Sequence, residues 1–272
     1  MSSNSDRLQQ AWRLWATRWQ APHALWWGPD GLWDAGAQRG GRPAQRHDDI
    51  AAWCAAHPGS SARLWLSAWW VVELLVDAAL PLADDTALID YVRPLLRHYH
   101  GEVAAAWSLA AWHSGEQRGV SALHGQRLDE LRDSARIHGV RLLQVQPWWA
   151  RALALAASQP ALRGASGPQR LLLAEGRLLT VIDLDQGRLT GLQQRRLAEP
   201  SPAALADWLD REGGPGPARC WLLGWGLESA TPAAGPSPRL PQWLDRPEVL
   251  GSGHPDPRWW HGGSAAHSGV AS

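Results

Sequence analysis

The chain has 272 residues, 45% of them hydrophobic, which is enough for one large domain or two closely packed lobes. Its 26 basic and 26 acidic residues cancel, so bulk charge gives no argument for a nucleic-acid partner. Lysine is absent, which excludes a phosphate-loop lysine, a Schiff-base lysine and a kinase-type lysine.

Phe is also absent, Asn occurs only at position 4, and there are 20 Trp. This pattern fits strongly GC-rich coding, with Trp filling core volume that Phe usually fills. Each buried indole N–H then needs a partner. The two cysteines, Cys54 and Cys220, make neither a disulfide framework nor a metal framework. The longest apolar run, Leu64 to Leu82, is interrupted by Glu73, Asp77 and Pro81, so no membrane span is expected. The opening MSSNSDRLQQAW has no signal-peptide core, and a cytoplasmic location is the expectation.

Ser5 to Gln20 reads as an amphipathic helix with Leu8, Trp12, Trp15 and Trp19 on one stripe, ended by Pro22. Ala24 to Gly36 reads as a hairpin around Gly28-Pro29-Asp30-Gly31. Asp48 opens a helix, DDIAAWCAAH, that stops at Pro58-Gly59, and RLWLSA follows as a strand. A βαββαβ pattern comes next. It has a strand from Trp70 to Asp77, then a helix from Asp84 to His100 with Leu88, Val92, Leu95 and Leu96 on its face. A hairpin follows around Ser114-Gly115-Glu116, then a helix from Gln126 to His138 with Gly139 as its C-cap. A strand from Val140 to Val145 closes the block. Pro147 starts another helix, WWARALALAAS.

Three strands in a row are then predicted: RLLLAEG, LLTVIDLD and LTGLQQRRL, with Asp185-Gln186-Gly187-Arg188 as the second turn. Pro200 to Glu212 is a helix capped at Ser201-Pro202, and CWLLGWG is a further strand. From Ser229 the composition of Pro, Gly, Ser and Ala predicts a flexible tail.

Two βββαβ-like runs thus flank an inserted block, which is the ribonuclease H-like, actin-like plan. GVSALHGQRLDELRDSARIHGVRLLQVQPWWARAL, QRLLLAEGRLLTVIDLDQGRLTGLQQRRL and CWLLGWGLES carry a resemblance to one branch of that plan. Over roughly Ala24 to Leu227 the chain resembles the cytoplasmic M protein of type IV pilus systems and the cytoplasmic half of the type II secretion L protein. The resemblance implies an α/β, two-lobed fold. Its expected divisions are an N-terminal helix (1–21), a partial first lobe (22–68), an inserted βαββαβ subdomain (69–146), a second lobe (147–228) and a Pro/Gly-rich tail (229–272).

Members of that group that bind ATP hold its phosphates with two β-hairpin loops, each with an Asp followed closely by Gly. Here the first hairpin reads Trp26-Trp27-Gly28-Pro29-Asp30-Gly31, where Pro29 removes a backbone donor and Asp30 falls in the turn. The second reads Ala174-Glu175-Gly176, with Ala174 where the metal-facing carboxylate belongs. At the adenosine loop, Gly224-Trp225-Gly226 replaces a Gly-Gly pair. These departures imply a scaffold without ATP chemistry, with no catalytic, cofactor or metal residues and no cofactor. Its expected partners are proteins of a pilus or secretion inner-membrane platform, a membrane component and an ATPase among them. A nucleotide-binding protein with unusual phosphate loops is the alternative.

Other groups in the sequence carry weaker hints of chemistry. Asp183 and Asp185 share a strand face and could hold a metal as in ribonuclease H-like nucleases, but a solvated strand end explains them better. His47-Asp48-Asp49 sits at a helix start, where acids cap, and His98-Tyr99-His100 at a helix end, where His suits the negative pole. Cys54 and Cys220 read as small buried hydrophobes. The tandem pairs Trp69-Trp70, Trp148-Trp149 and Trp259-Trp260 read as core residues, the last pair also as an interface anchor.

Overall fold

The computed structural model describes residues 21–36, 44–125, 128–158, 167–212, 219–227 and 242–243. The predicted helix over Ser5 to Gln20 and the Trp259-Trp260 pair lie outside the described residues.

The first sheet grows from a hairpin. Strand β1 (His23–Gly28) turns through Pro29-Asp30 into β2 (Gly31–Asp34), with Gly28 opposite Gly31. Gly31 has φ +123°, a conformation that a side chain at that position would resist. Strand β3 (Gln45–His47) pairs antiparallel with β2. Asp49 then caps α1 (Ile50–Ala56) by accepting the Ala52 N–H at 2.7 Å. Strand β4 (Ser61–Leu66) runs parallel to β1.

The chain next leaves this sheet to build a smaller one. Strand β5 (Val71–Val76), helix α2 (Asp85–His100), a 3-10 turn over Glu102–Ala106, and the hairpin β6 (Ser108–Ser114) and β7 (Gln117–Leu123) follow in order. The three strands form an antiparallel sheet in the order β5-β7-β6. Leu88, Val92 and Leu96 of α2 pack on one face of it, with Val76, Val120 and Ala122. Asp84 caps α2 through the Ala87 N–H at 2.9 Å, and Arg97, His98 and His100 occupy the last turn, where positive charge is favoured.

The block expected over 69–146 does not stay together. Helix α3 (Leu128–Ile137) and strand β8 (Arg141–Pro147) return to the first sheet, whose order is β3-β2-β1-β4-β8. The reason is burial: Leu131, Ala135 and Val140 share a core with Leu25, Leu64 and the α1 residues Ile50, Trp53 and Cys54, which the three-stranded sheet reaches only through Val71 and Leu123 at its strand ends. The inserted unit is therefore β5, α2, β6 and β7.

Helix α4 (Trp148–Ser158) leads to the second five-stranded sheet. This contains β9 (Pro168–Glu175), β10 (Leu178–Asp185), β11 (Arg188–Arg196), then helix α5 (Pro202–Glu212) and strands β12 (Arg219–Trp225) and β13 (Gln242–Trp243). Its order is β11-β10-β9-β12-β13. Of the stretch expected as a tail, Gln242–Trp243 pairs parallel with β12.

The layers follow from strand alternation. On β1, Leu25 and Trp27 face the core shared with α1 and α3, while Ala24 and Trp26 face the other way. On β9, Leu172 and Ala174 face α5, while Leu171 and Leu173 face the first sheet. Trp26, Trp65, Trp148, Trp149, Leu171, Leu173 and Trp221 meet there in one core common to both sheets. Trp148 and Trp149, adjacent at the start of α4, are both buried in it. No helix among the described residues is long and apolar enough to cross a membrane.

Candidate functional site

The two hairpins singled out by the sequence come together at one end of the shared core. A cleft of about 240 Å³ there is lined by Trp26, Pro29, Asp30, Trp69, Glu175, Gly176, Arg177, Pro200 and Gly226. This is below the about 300–1,000 Å³ usual for a small-molecule site.

Each hairpin is committed elsewhere. In the first, the Trp26 ring folds back over Gly28: a Cβ built on Gly28 would lie 1.9 Å from Cη2 and 2.3 Å from Cζ3. A glycine is required for that ring to occupy the hairpin mouth. Pro29 offers no N–H to an anion. The Asp30 carbonyl accepts from Arg46 Nε at 2.6 Å.

In the second hairpin, Glu175 ends β9 on the same face as Leu171 and Leu173, which turns its carboxylate toward the first sheet. It accepts a hydrogen bond from the Ser67 hydroxyl, and the Ala68 N–H lies 3.1 and 3.2 Å from its two oxygens. Trp69 Nε1 donates to the Glu175 carbonyl at 3.4 Å. Burial pushes the Glu175 carboxyl up to about 7, against the opposing pull of the Ser67 and Ala68 donors. The Ser67-Ala68-Trp69 segment follows β4, so the cleft is latched by a contact from the first lobe to the second. The guanidinium of Arg196 lies 5.7 Å from the Trp69 ring centre, adding a cation–π contact across the same seam.

A second latch joins the inserted sheet to the second lobe. The Gln194 side chain on β11 accepts from the Glu73 N–H at 3.2 Å and donates to the Val71 carbonyl at 2.8 Å. It thereby continues the ladder that edge strand β5 would otherwise leave open. Glu73 itself is buried. Ser121 Oγ donates to it at 2.8 and 2.9 Å, and Trp112 Nε1 at 3.1 Å. Burial pushes its carboxyl up to about 8, with Trp149, Ser121 and Trp112 pulling the other way.

Asp183 pairs with Arg170 at 2.7 Å, while Asp185 is exposed at the strand end. Asp49 serves as the α1 cap. His98 and His100 are exposed in the last turn of α2. Cys54 is buried and Cys220 half-buried, and burial pushes both thiols up to about 11, which leaves them unreactive as nucleophiles. Trp69 and Trp70 lie in the turn before β5, not on it, and divide their roles: Trp69 lines the cleft and Trp70 packs against Trp27 at 5.7 Å.

Glu175, Glu73, Ser67 and Gln194 carry the seam, and sequence reading did not single them out for it. A signal existed for Glu175, an acid on the apolar face of a buried strand.

The phosphate approach in the first hairpin is covered by Trp26 and lacks the Pro29 donor, and the only carboxylate ending β9 is sequestered by Ser67 and Ala68.

No protein-family model matches the sequence, and no curated protein matches it. Solved structures do resemble it. A Bacteroides thetaiotaomicron protein with an actin-like ATPase fold and unknown function superposes with a TM-score of 0.50 at 8% identity, over 75% of this chain and 82% of that one. The cytoplasmic domain of EpsL, an inner-membrane component of the Vibrio cholerae type II secretion system, gives a TM-score of 0.43 at 14% identity, over 85% and 87%. The PilM-PilN type IV pilus biogenesis complex gives 0.49 at 13% identity, over 76% and 82%. The fold is actin-like and two-lobed, with the cleft at the junction of the lobes.

Proposed function

We propose that this chain is a non-catalytic scaffold of a type IV pilus or type II secretion-like assembly platform, docking a membrane component and an ATPase. The observation that carries the reading is the latched cleft. In an actin-like fold the lobe junction is where a nucleotide would act, and here Glu175 on its wall is bound to Ser67, Ala68 and Trp69, while the Trp26 ring covers Gly28. A fold whose hinge is closed by its own side chains presents fixed outer surfaces, which suits docking. The three sequence stretches that resemble the pilus M and secretion L proteins point to the machine.

The test is pairwise bacterial two-hybrid and co-purification of the full chain against the membrane and ATPase components of the pilus and secretion platforms of its source organism. Binding to a platform component supports the reading, and clean negatives across all of them sink it. The alternative, a nucleotide-binding protein with unusual loops, draws on the placement of Asp30 and Arg177 on the cleft wall. It is decided by direct titration.

A further inference from the structure

At the end of β1 and β2 remote from the Pro29-Asp30 turn, three elements bring their polar side chains together. His23 opens β1, Asp34 ends β2, and His57 is the C-cap of α1. The geometry points to a binding site for a divalent transition-metal ion of the zinc class, held by His23, Asp34 and His57 with His47 at its margin.

The spacing is the first argument. His23 Nδ1 lies 2.9 Å and His57 Nε2 3.9 Å from Asp34 Oδ2, and all three ligand atoms lie within 4.8 Å of one another. Zinc bonds of about 2.0–2.1 Å in a tetrahedral shell separate ligand atoms by roughly 3.3 Å. The observed separations bracket that value, so small side-chain rotations would open the shell.

The outer contacts are the second argument. His57 Nδ1 lies 2.9 Å from the Trp53 carbonyl, which can only accept, so Nδ1 carries the proton and the Nε2 lone pair faces Asp34. A backbone carbonyl on the non-ligating nitrogen is the arrangement that orients metal-binding histidines. Asp34, 5% exposed, is itself fixed: Gly36 N–H donates to Oδ1 at 2.6 Å and Trp53 Nε1 to Oδ2 at 2.8 Å. The Trp53 ring stacks on His57 at 4.7 Å, holding its plane.

The third argument is a remainder. Hydrogen bonding alone accounts for the burial of Asp34. It does not account for His47, whose ring lies 5.6 Å from that of His57 and whose Nε2 is buried with no hydrogen-bond partner among the described residues. A cation at this cluster gives that lone pair a reason to be there, directly or through a bound water.

Two or three imidazoles with one carboxylate select zinc-class ions over calcium or magnesium, which take oxygen shells. For Nδ1 of His23 to ligate, the neutral imidazole carries its proton on Nε2, so the proton shared with Asp34 moves to Nε2 by exchange with solvent as the nitrogen–metal bond forms. His23 and His57 are 16% and 24% exposed, which gives an ion a path from solvent. The site lies at the opposite end of β1 from the cleft turn, so the ion would rivet β1, β2 and α1 together.

The purified full chain is stripped with chelator, equilibrated with zinc chloride, desalted, and its metal content measured by atomic emission. Affinity is read by isothermal titration, and cobalt(II) absorption reports the coordination number. The expected result is one zinc per chain, bound tighter than about 1 μM. His57→Ala and His23→Ala each weaken it by at least the about 10–100-fold that even an outer-shell loss costs. The doubly substituted His98→Ala, His100→Ala chain, altered at exposed histidines elsewhere, binds like the parent. Thermal unfolding in chelator confirms that His57→Ala is folded, and Asp34→Asn supplies a near-isosteric second variant expected to lose zinc. No retained zinc in the parent, or equal retention in the His57, His23 and Asp34 variants, overturns the proposal.

Discussion

The Ser67 hydroxyl donates to the Glu175 carboxylate, joining two residues 108 positions apart at the seam between the lobes. Both are buried, at 3% or less exposure, and among the described residues no charged group shifts the Glu175 carboxyl. The bond therefore works as a neutral or singly charged hydrogen bond in a dry setting, where losing one partner costs more than the bond itself contributes. Ser67→Ala is expected to destabilise the chain by about 1–3 kcal/mol. Urea denaturation checks this, and an unchanged midpoint would mean that the latch carries no energy.

The same seam sets a pH dependence. Burial raises Glu175 to about 7 and Glu73 to about 8, from an ordinary value of 4.5. A folded-state pKa raised above the unfolded one gives stability that is full below the unfolded value and lost as pH rises through the folded value. Stability from these two groups should thus be greatest below about pH 4.5 and fall through about pH 7 and 8. Glu175→Gln and Glu73→Gln remove the alkaline loss. Each variant should be more stable than the parent at about pH 9, by on the order of 1–3 kcal/mol, with a flatter profile. Denaturant midpoints across that range measure it, and parallel profiles for parent and variants would refute it.

Trp26 and Gly28 make a third test. Gly28→Ala places a methyl group inside the Trp26 ring, and overpacking of this kind costs about 1–3 kcal/mol. In a Trp26→Ala background the ring is gone and the cost should largely disappear, so the double-mutant cycle should show strong coupling. Additive effects would mean that the ring does not cover the hairpin mouth.

Gln194 couples the inserted sheet to the second lobe through two backbone groups of β5. Gln194→Ala should raise hydrogen exchange at the Glu73 amide by at least tenfold, about 1.4 kcal/mol of lost local protection, while β9 and β10 amides change little. Equal protection at Glu73 in variant and parent would show that the bridge is idle.

Local chemistry was legible in the sequence, and long-range pairing was not. The hairpin at Asp185-Gln186-Gly187-Arg188 announces itself because Gln186 and Gly187 both adopt positive φ, 49° and 76°, as a tight two-residue turn requires. The cap at Asp49 and the turn at Gly139 are likewise written in adjacent residues. The return of β8 to pair with β4, Leu64 opposite Val145, is fixed by burial on α1 and α3, and nothing near either strand encodes it. The departures at Pro29 and Glu175 could be read from their hairpins, whereas the Ser67 partner could not, because it lies on another lobe. His23, Asp34 and His57 sit on three elements. Their one visible trace is Asp34 on the same strand face as buried Leu32, an acid where an apolar residue is expected.

The proposal rests on the actin-like cleft of this chain being held by its own side chains rather than by a nucleotide. Isothermal titration of ATP with Mg²⁺ into the purified full chain tests it most directly. The account predicts no saturable heat at ligand concentrations up to about 1 mM, where binding energies are near 4 kcal/mol. Saturable micromolar binding would contradict it, and would mean that the Glu175–Ser67 latch opens to admit phosphates.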